Sequence, residues 1–291
     1  MINLKRILII GANGHLGGYL SKRWNCIEWK EPMQDLDYKK LIELNPEAVV
    51  NAGGKTDLTW CEENPLGAFK NNVEYQLHVF RQVKRAFGCS IPYVSMSSGC
   101  LWDGPYNIHG HPFYPDEPPN PQCFYAWTKA ACDSIMLQES SISMPLLILR
   151  PRQLYSSINH PRNTLVKLSK YAKLLDTDNS MTSVSTLVKT LERIFETGHD
   201  ACWNRIMHVY DLGITSPFKV AEVLYKYGVR KTKPPLLTKS DLDLWHKPKR
   251  VDVVMRDGFF EDLVKPNSIE DELDYHAKDL LLAIEREKLK S

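Results

Sequence analysis

Four side chains between positions 98 and 129 have the types and spacing for proton chemistry. Ser98 offers a hydroxyl and Cys100 a thiol in the run Ser97-Ser98-Gly99-Cys100-Leu101-Trp102-Asp103-Gly104. After a Pro-rich loop, Tyr125 and Lys129 follow at i, i+4, which puts a phenol and an ammonium on one face of a helix. A nearby cation favours the phenolate, so the pair reads as a proton donor of lowered pKa. Tyr-x-x-x-Lys also arises by chance on solvated helix faces, so the elements around it must decide.

Those elements begin with an apolar run from Leu4 to Ile10, as in a strand buried on both faces of a parallel sheet. It enters Gly11-Ala12-Asn13-Gly14-His15-Leu16-Gly17-Gly18 and then a helix-like Tyr19–Trp24. Strand, glycine turn and helix form the setting of a phosphate-binding loop: glycines admit a pyrophosphate and the helix N-terminus supplies amides. A glycine turn with no ligand is the plain alternative; the position after the first strand favours a dinucleotide. A second short strand, Cys26–Trp29, has no acidic residue at its end to grip a ribose 2′-hydroxyl, and Arg23 and Lys30 lie nearby. This favours NADP(H), with NAD(H) as the alternative, although solvated surface charge explains both cations equally well.

The alternation continues through a helix at Lys39–Leu44, a strand and turn at Pro46–Gly54, and a helix from about Glu74 to Phe87. Strands at Ile91–Met96 and Pro145–Pro151 flank the Tyr125 helix, which runs on to Ser140. The fold class is therefore α/β, a Rossmann-type doubly wound parallel sheet. Residues 1–151 read as the dinucleotide-binding domain. Residues 152–291 read mainly as a smaller α/β substrate-binding domain, with some segments returning to the first. That second half shows helices near Thr164–Leu174, Val184–Glu196 and Pro217–Tyr227 and a strand at Ile206–Tyr210. It ends in a helix at Ile269–Lys290, whose Leu273, Ala277, Leu280, Leu281 and Ile284 form a packing stripe.

Composition narrows the classes. Thirty-seven Lys and Arg against 35 Asp and Glu leave a formal charge of +2, which argues against a nucleic-acid or membrane surface. Seven scattered cysteines without C-x-x-C fit free thiols in a reducing compartment. With no signal peptide or transmembrane run expected, the reading is cytoplasmic. His109, His111 and Cys123 lack the spacing of a tetrahedral site, so no metal is expected. Their loop, Pro105–Gln122, is a candidate lid.

The order and spacing of these pieces resemble a known family. Gly11-x-x-Gly14-x-x-Gly17 resembles the fingerprint of extended short-chain dehydrogenase/reductases. Asn51-Ala52-Gly53, Cys61-Glu62-x-x-Pro65, Asn72, Ser97-Ser98 before Leu101-Trp102-Asp103-Gly104, Tyr125-x-x-x-Lys129 and Leu149-Arg150-Pro151 extend it. Together they resemble the dTDP-4-dehydrorhamnose reductase branch over roughly residues 1 to 225. Within it, Gly99-Cys100, the segment from Pro161-Arg162-Asn163-Thr164 to Lys167, and Asn179-Ser180-Met181-Thr182 resemble the nucleotide-rhamnose synthase/epimerase-reductase enzymes.

The resemblance implies a nucleotide-sugar enzyme acting on a UDP- or dTDP-linked 4-keto-6-deoxyhexose, with a homodimer allowed for. Ser98, Tyr125 and Lys129 would be the reductase triad, and Cys100 and Lys167 the epimerisation pair. Gly11, Asn13, Gly14, His15, Leu16, Gly17, Asp35, Leu36, Asn51, Ala52, Gly53, Asn72, Tyr125 and Lys129 would hold the cofactor, with Asp35 at the adenine. Ser98, Arg162 and Asn163 would hold the substrate, an Arg fork suiting phosphate. The expected product is a nucleotide-linked L-rhamnose, made by C3/C5 epimerisation and C4 reduction. The rivals are a reductase in which Cys100 is a small buried hydrophobe, and a non-catalytic regulatory subunit of the same fold.

Overall fold

A computed structural model describes residues 2–104, 110–140, 144–198, 200–237 and 249–289. Eight strands lie among them: β1 (Ile7–Ile10), β2 (Ile27–Trp29), β3 (Ala48–Asn51), β4 (Tyr93–Met96), β5 (Leu146–Pro151), β6 (Leu174–Leu175), β7 (Arg205–Val209) and β8 (Leu236–Leu237). Six form one sheet in the order β2-β1-β3-β4-β5-β7, every pair parallel. The helices are α1 (His15–Trp24), α2 (Tyr38–Leu44), α3 (Leu58–Glu63), α4 (Pro65–Phe69), α5 (Tyr75–Phe87), α6 (Phe124–Ser140), α7 (Thr164–Leu168), α8 (Val184–Thr197), α9 (Pro217–Lys226), α10 (Gly258–Val264) and α11 (Ile269–Lys288).

The unbroken apolar run of β1 is explained by its two neighbours. Ile7 and Ile9 pack toward Leu16, Leu20 and Trp24 of α1 and the apolar face of α8. Leu8 and Ile10 pack toward Leu41 of α2, Phe80 and Val83 of α5 and Met136 of α6. All four strand residues are fully buried, each contributing about 1.5–3 kcal/mol of apolar transfer. A third cluster joins α7, α9 and α11 through Leu165, Leu168, Val220, Leu224, Leu273 and Leu280. The α11 stripe is thus packing surface.

Strand order reverses at β1, since β2 lies on one side and β3 on the other. The crevice beyond the carboxyl ends of β1 and β3 is where a doubly wound sheet takes its ligand.

Several boundaries differ from the sequence reading. β1 starts at Ile7 because Asn3 caps a 3₁₀ turn over Leu4–Arg6. The helix expected from Glu74 begins at Pro65 and passes through a π turn at Lys70–Glu74, a one-residue insertion typical of functional positions. α7 stops at Leu168 because Leu174–Leu175 pair with Leu236–Leu237 instead. α10, started by Asp257 accepting from the Phe260 N–H, was not anticipated.

The loop expected as a lid is partly pinned. Phe113 exchanges backbone hydrogen bonds with Val254 and Arg256 and stacks on Trp102 at 5.8 Å. Residues 105–109, including His109, lie outside the described residues.

Candidate active site

The glycine turn is built by contact with the turn after β3. Gly11 has φ +78°, and a Cβ there would stand 2.8 Å from the Gly53 backbone; a Cβ on Gly17 would run into the Gly11 carbonyl. Gly14 caps α1 with no side chain, so no hydroxyl or carboxylate occupies the helix N-terminus. Gly14, His15, Leu16, Ala52 and Gly53 line the cleft beyond. This glycine turn at the N-terminus of a ten-residue helix without a side-chain cap fits a dinucleotide pyrophosphate.

Two of the expected contacts sit beneath that turn. Asn51 is fully buried, donating to Tyr93 Oη at 2.9 Å and accepting from the Gly53 N–H at 3.0 Å. Asn72 is likewise buried, holding the Lys55 N–H and carbonyl and reaching Thr128 Oγ1. Both shape the loop after β3, because their polar atoms are already engaged with protein. Asn13 lines the crevice while donating to the Lys30 carbonyl at 3.1 Å.

Asp35 and Leu36, expected at the adenine, follow directly on the residues that line the crevice. Asp35 is exposed outside the crevice, and Leu36 is fully buried in the core. A recess of about 450 Å³ is lined instead by Lys30–Gln34, Asn71, Tyr75 and Arg162. A tight turn carries it: the Asp35 N–H donates to the Pro32 carbonyl, and Gln76 Nε2 lies 3.3 Å from Met33 Sδ. Arg23 bonds Glu192 on α8 at 3.1 Å and is absent from this recess, whose cations are Arg162 and Lys30, the latter paired with Glu28 at 2.5 Å.

The proton-handling groups gather where β4 ends. Tyr125, Lys129 and Asp133 share one face of α6 at i, i+4, i+8, and all three are buried. Asp133 fixes the helix, accepting from Arg150 Nε at 3.0 Å and Ser97 Oγ at 2.8 Å. Ser98 accepts the Cys100 N–H at 3.1 Å and lines the cleft beside Tyr125. Lys129 Nζ donates to the Met96 carbonyl at 2.7 Å. Burial, and next the neighbouring Cys100, push the Tyr125 phenol well above its ordinary value, against the lowering effect of Ser98. The lowered phenol expected from the i, i+4 spacing is therefore not found: burial dominates, and the ammonium is turned to the strand end.

Ser98, Cys100, Tyr125 and Lys129 open into one cleft of about 1020 Å³, together with Arg152, Arg162 and Lys167. Burial, Arg250 and Arg162 lower the Lys167 ammonium below its usual range, opposed by Asp57. His15 hydrogen-bonds Ser156 Oγ at 2.7 Å and stacks on His160 at 5.2 Å. Burial first, then His160, Lys167 and Arg162, lower its pKa to about 4. Beside the glycine turn the cleft is lined by Arg162 and Lys167 and is thus cationic.

Asn163 is the remaining correction. It is fully buried; its amide donates to the Ser156 and Ile158 carbonyls, and its oxygen accepts from the Ser156 and Leu165 N–H groups. With every polar valence used, it caps α7, the helix that carries Lys167. Sequence reasoning also missed Arg152, directly after Leu149-Arg150-Pro151, and His160, directly before Pro161-Arg162-Asn163, together with Lys249 and Arg250, which stand beside no motif. Among the described residues, no cluster of three or more His, Cys, Asp or Glu is placed to hold a metal, and no helix is long and apolar enough to cross a membrane.

Known proteins resemble this chain in sequence and fold. The chain is 28% identical over 199 residues to the Arabidopsis thaliana bifunctional dTDP-4-dehydrorhamnose 3,5-epimerase/dTDP-4-dehydrorhamnose reductase. That match covers 62% of this chain and 63% of the relative, so it spans less than two thirds of that protein. The fold superposes on UDP-rhamnose synthase from Acanthamoeba polyphaga mimivirus with TM-score 0.82 at 16% identity, covering 94% and 98% of the two chains. It superposes on dTDP-4-dehydrorhamnose reductase of Bacillus anthracis, solved in complex with NADP, with TM-score 0.74 at 18% identity, covering 93% and 97%. The family model for the RmlD substrate binding domain matches residues 5–243, and this chain belongs to that family.

Proposed function

We propose that the protein is an NADP(H)-dependent reductase of a nucleotide-linked 4-keto-6-deoxyhexose that also epimerises C3 and C5 before reduction, giving a nucleotide-linked L-rhamnose. The observation that carries the reading is one cleft in which Ser98, Cys100, Tyr125 and Lys129 face the glycine floor at the carboxyl ends of β1, β3 and β4. The relatives' names support the substrate class.

NADPH, when bound, supplies the hydride to C4. Gly11, Gly14 and Gly17 would receive its pyrophosphate with the α1 amides, Lys30–Gln34 its adenosine end, and Lys30 a 2′-phosphate. Tyr125, held protonated by burial, gives its proton to the developing C4 alkoxide, and Ser98 donates to the same oxygen. Lys129 restrains the nicotinamide ribose from the strand end.

Epimerisation uses the same oxygen. A C4 ketone acidifies the C–H bonds at C3 and C5, so the Cys100 thiolate can take a proton from one face while Tyr125 and Ser98 stabilise the enediolate oxygen. Lys167, whose ammonium is weakened by burial, returns a proton to the opposite face. The thiol and amine then reset by exchange with water.

The test supplies UDP- or dTDP-4-keto-6-deoxyglucose with NADPH in heavy water. Cofactor oxidation with deuterium at C3 and C5 of the product is expected. Oxidation without ring deuterium would leave a reductase alone, and no turnover on either sugar would sink the reading.

A further inference from the structure

We propose that Arg152 is the built-in counter-ion of Cys100, holding it as the thiolate; the use of that thiolate as a base rests on the epimerase reading above. Arg152 is 1% exposed, and its Nη1 lies 3.1 Å from Cys100 Sγ. Its other hydrogen bonds among the described residues go from Nη2 to Asn179 Oδ1 and to the Val251 carbonyl, at 2.7 Å for the latter. None of these acceptors is a carboxylate, and the buried Nε has no hydrogen-bond partner. A guanidinium stays charged throughout the working pH range, so a buried one without a carboxylate calls for another anion. The thiol is the ionisable group it touches.

The contact is constructed from both sides. A side chain at Gly99 would strike Met255 and come within 3.0 Å of Arg152 Cβ, so glycine there lets the arginine close against the end of β4. Thr182 clamps the Arg152 backbone, its Oγ1 accepting the Arg152 N–H at 2.8 Å and its own N–H donating to the Arg152 carbonyl at 2.9 Å. Ser180 accepts the Met255 N–H at 2.9 Å. The Asn179–Thr182 segment therefore serves as a mount for this side chain.

Besides Arg152, the titratable groups facing Cys100 are Tyr125 and Cys123. Burial lifts the phenol and pushes the Cys123 thiol up to about 11, so both stay neutral near pH 7. Lys249, Arg250 and Asp252 line the same cleft further out. A fixed cation in contact with a thiol favours its charged form. Arg152 touches the base, so it is a positioning residue for the proton transfer.

The test is alkylation of the intact protein by iodoacetamide from about pH 5 to about pH 10, with Cys100 followed by peptide mass spectrometry. The wild-type midpoint is expected at least one unit below the ordinary thiol value of about 8.5. In Arg152→Gln it should move up by about one unit or more, which is a tenfold change in the ionisation constant, while Arg152→Lys restores part of the shift. A wild-type midpoint at or above the ordinary value overturns the proposal, whether or not the glutamine variant folds. An Arg152→Gln midpoint equal to wild type overturns it as well.

Deuterium uptake at C3 and C5, measured in parallel, separates the two ideas. A low, Arg152-dependent midpoint without uptake keeps the ion pair and removes the epimerase role. Uptake with a midpoint indifferent to Arg152 does the reverse.

Discussion

Lys129 Nζ donates to the Met96 carbonyl at 2.7 Å, so the ammonium is fixed to the end of β4 while the phenol one turn earlier lines the cleft with Ser98. The two side chains therefore divide the work that their spacing seemed to pool. Tyr125→Phe should lower reduction by about 10²–10⁴-fold with little change in NADPH affinity, because only the proton donor is lost. Lys129→Met should weaken NADPH binding and turnover together. Steady-state rates beside a fluorescence titration of NADPH read both; equal losses of affinity in the two variants would contradict the division. Since burial keeps the phenol protonated, the reduction rate should fall only on the alkaline side.

Asp133 and Arg150 tie the reacting helix to the sheet. Both side chains are 4% exposed, Arg150 also donates to the Pro115 carbonyl, and its guanidinium lies 5.1 Å from the Trp102 ring. Asp133→Ala leaves a buried cation unpaired and should cost about 3–5 kcal/mol. The double variant Asp133→Leu/Arg150→Met should recover most of that. Urea unfolding of the three proteins checks it, and an Asp133→Ala loss under about 1 kcal/mol would show that Arg150 has other compensation.

Much of this was legible in the sequence. A two-sided apolar strand followed by Gly11-x-x-Gly14-x-x-Gly17 admits little but a glycine floor beside a parallel strand, and β1 and α1 supply it. Tyr125 and Lys129 were legible as neighbours because helix geometry fixes i, i+4. Burial is a property of the whole molecule, so the sign of the Tyr125 shift was not. The placement of Asp35 and Leu36 was not legible for a related reason: a tight turn decides which residues of the stretch from Lys30 to Leu36 face the crevice. Asn163 reads as a polar loop residue until the loop's unpaired amides are placed around it. Arg152 lay outside every motif, and only the fold brings it to Cys100, 52 residues away in the chain.

Gly17 gives a sharper test of the cofactor floor than any charged residue. A Cβ there meets backbone, the Gly11 carbonyl, which cannot swing aside as a side-chain end can. Gly17→Ala should weaken NADPH binding at least about tenfold, while intrinsic helix propensity, which favours Ala by up to about 1 kcal/mol, limits the loss of stability. Isothermal titration with NADPH and thermal melting of the same sample separate the two effects. Unchanged affinity would mean that the α1 turn does not carry the pyrophosphate.

His15 makes stability depend on pH with a definite sign. Its folded pKa is depressed from 6.5 to about 4, chiefly by burial and then by His160, Lys167 and Arg162. The folded state therefore binds fewer protons than the unfolded chain between those values. The neutral ring's contribution is complete above about 6.5 and is lost as pH falls toward about 4, by at most about 3 kcal/mol. Asp211 acts in the opposite direction over part of this range. Burial raises its carboxyl from 3.8 to about 6 despite hydrogen bonds from Thr186, Tyr155 and Ser183, so it favours the folded state as pH falls. Subtracting a His15→Gln variant from wild type cancels Asp211 and the surface carboxylates, leaving His15 together with its coupling to His160. The urea midpoint of wild type should drop faster than that of His15→Gln from about pH 6.5 downward. Bound NADPH should shrink the difference, because a pyrophosphate at the α1 N-terminus stabilises the imidazolium beside it. Parallel midpoints throughout would show that His15 is not buried beside this cationic cluster in solution.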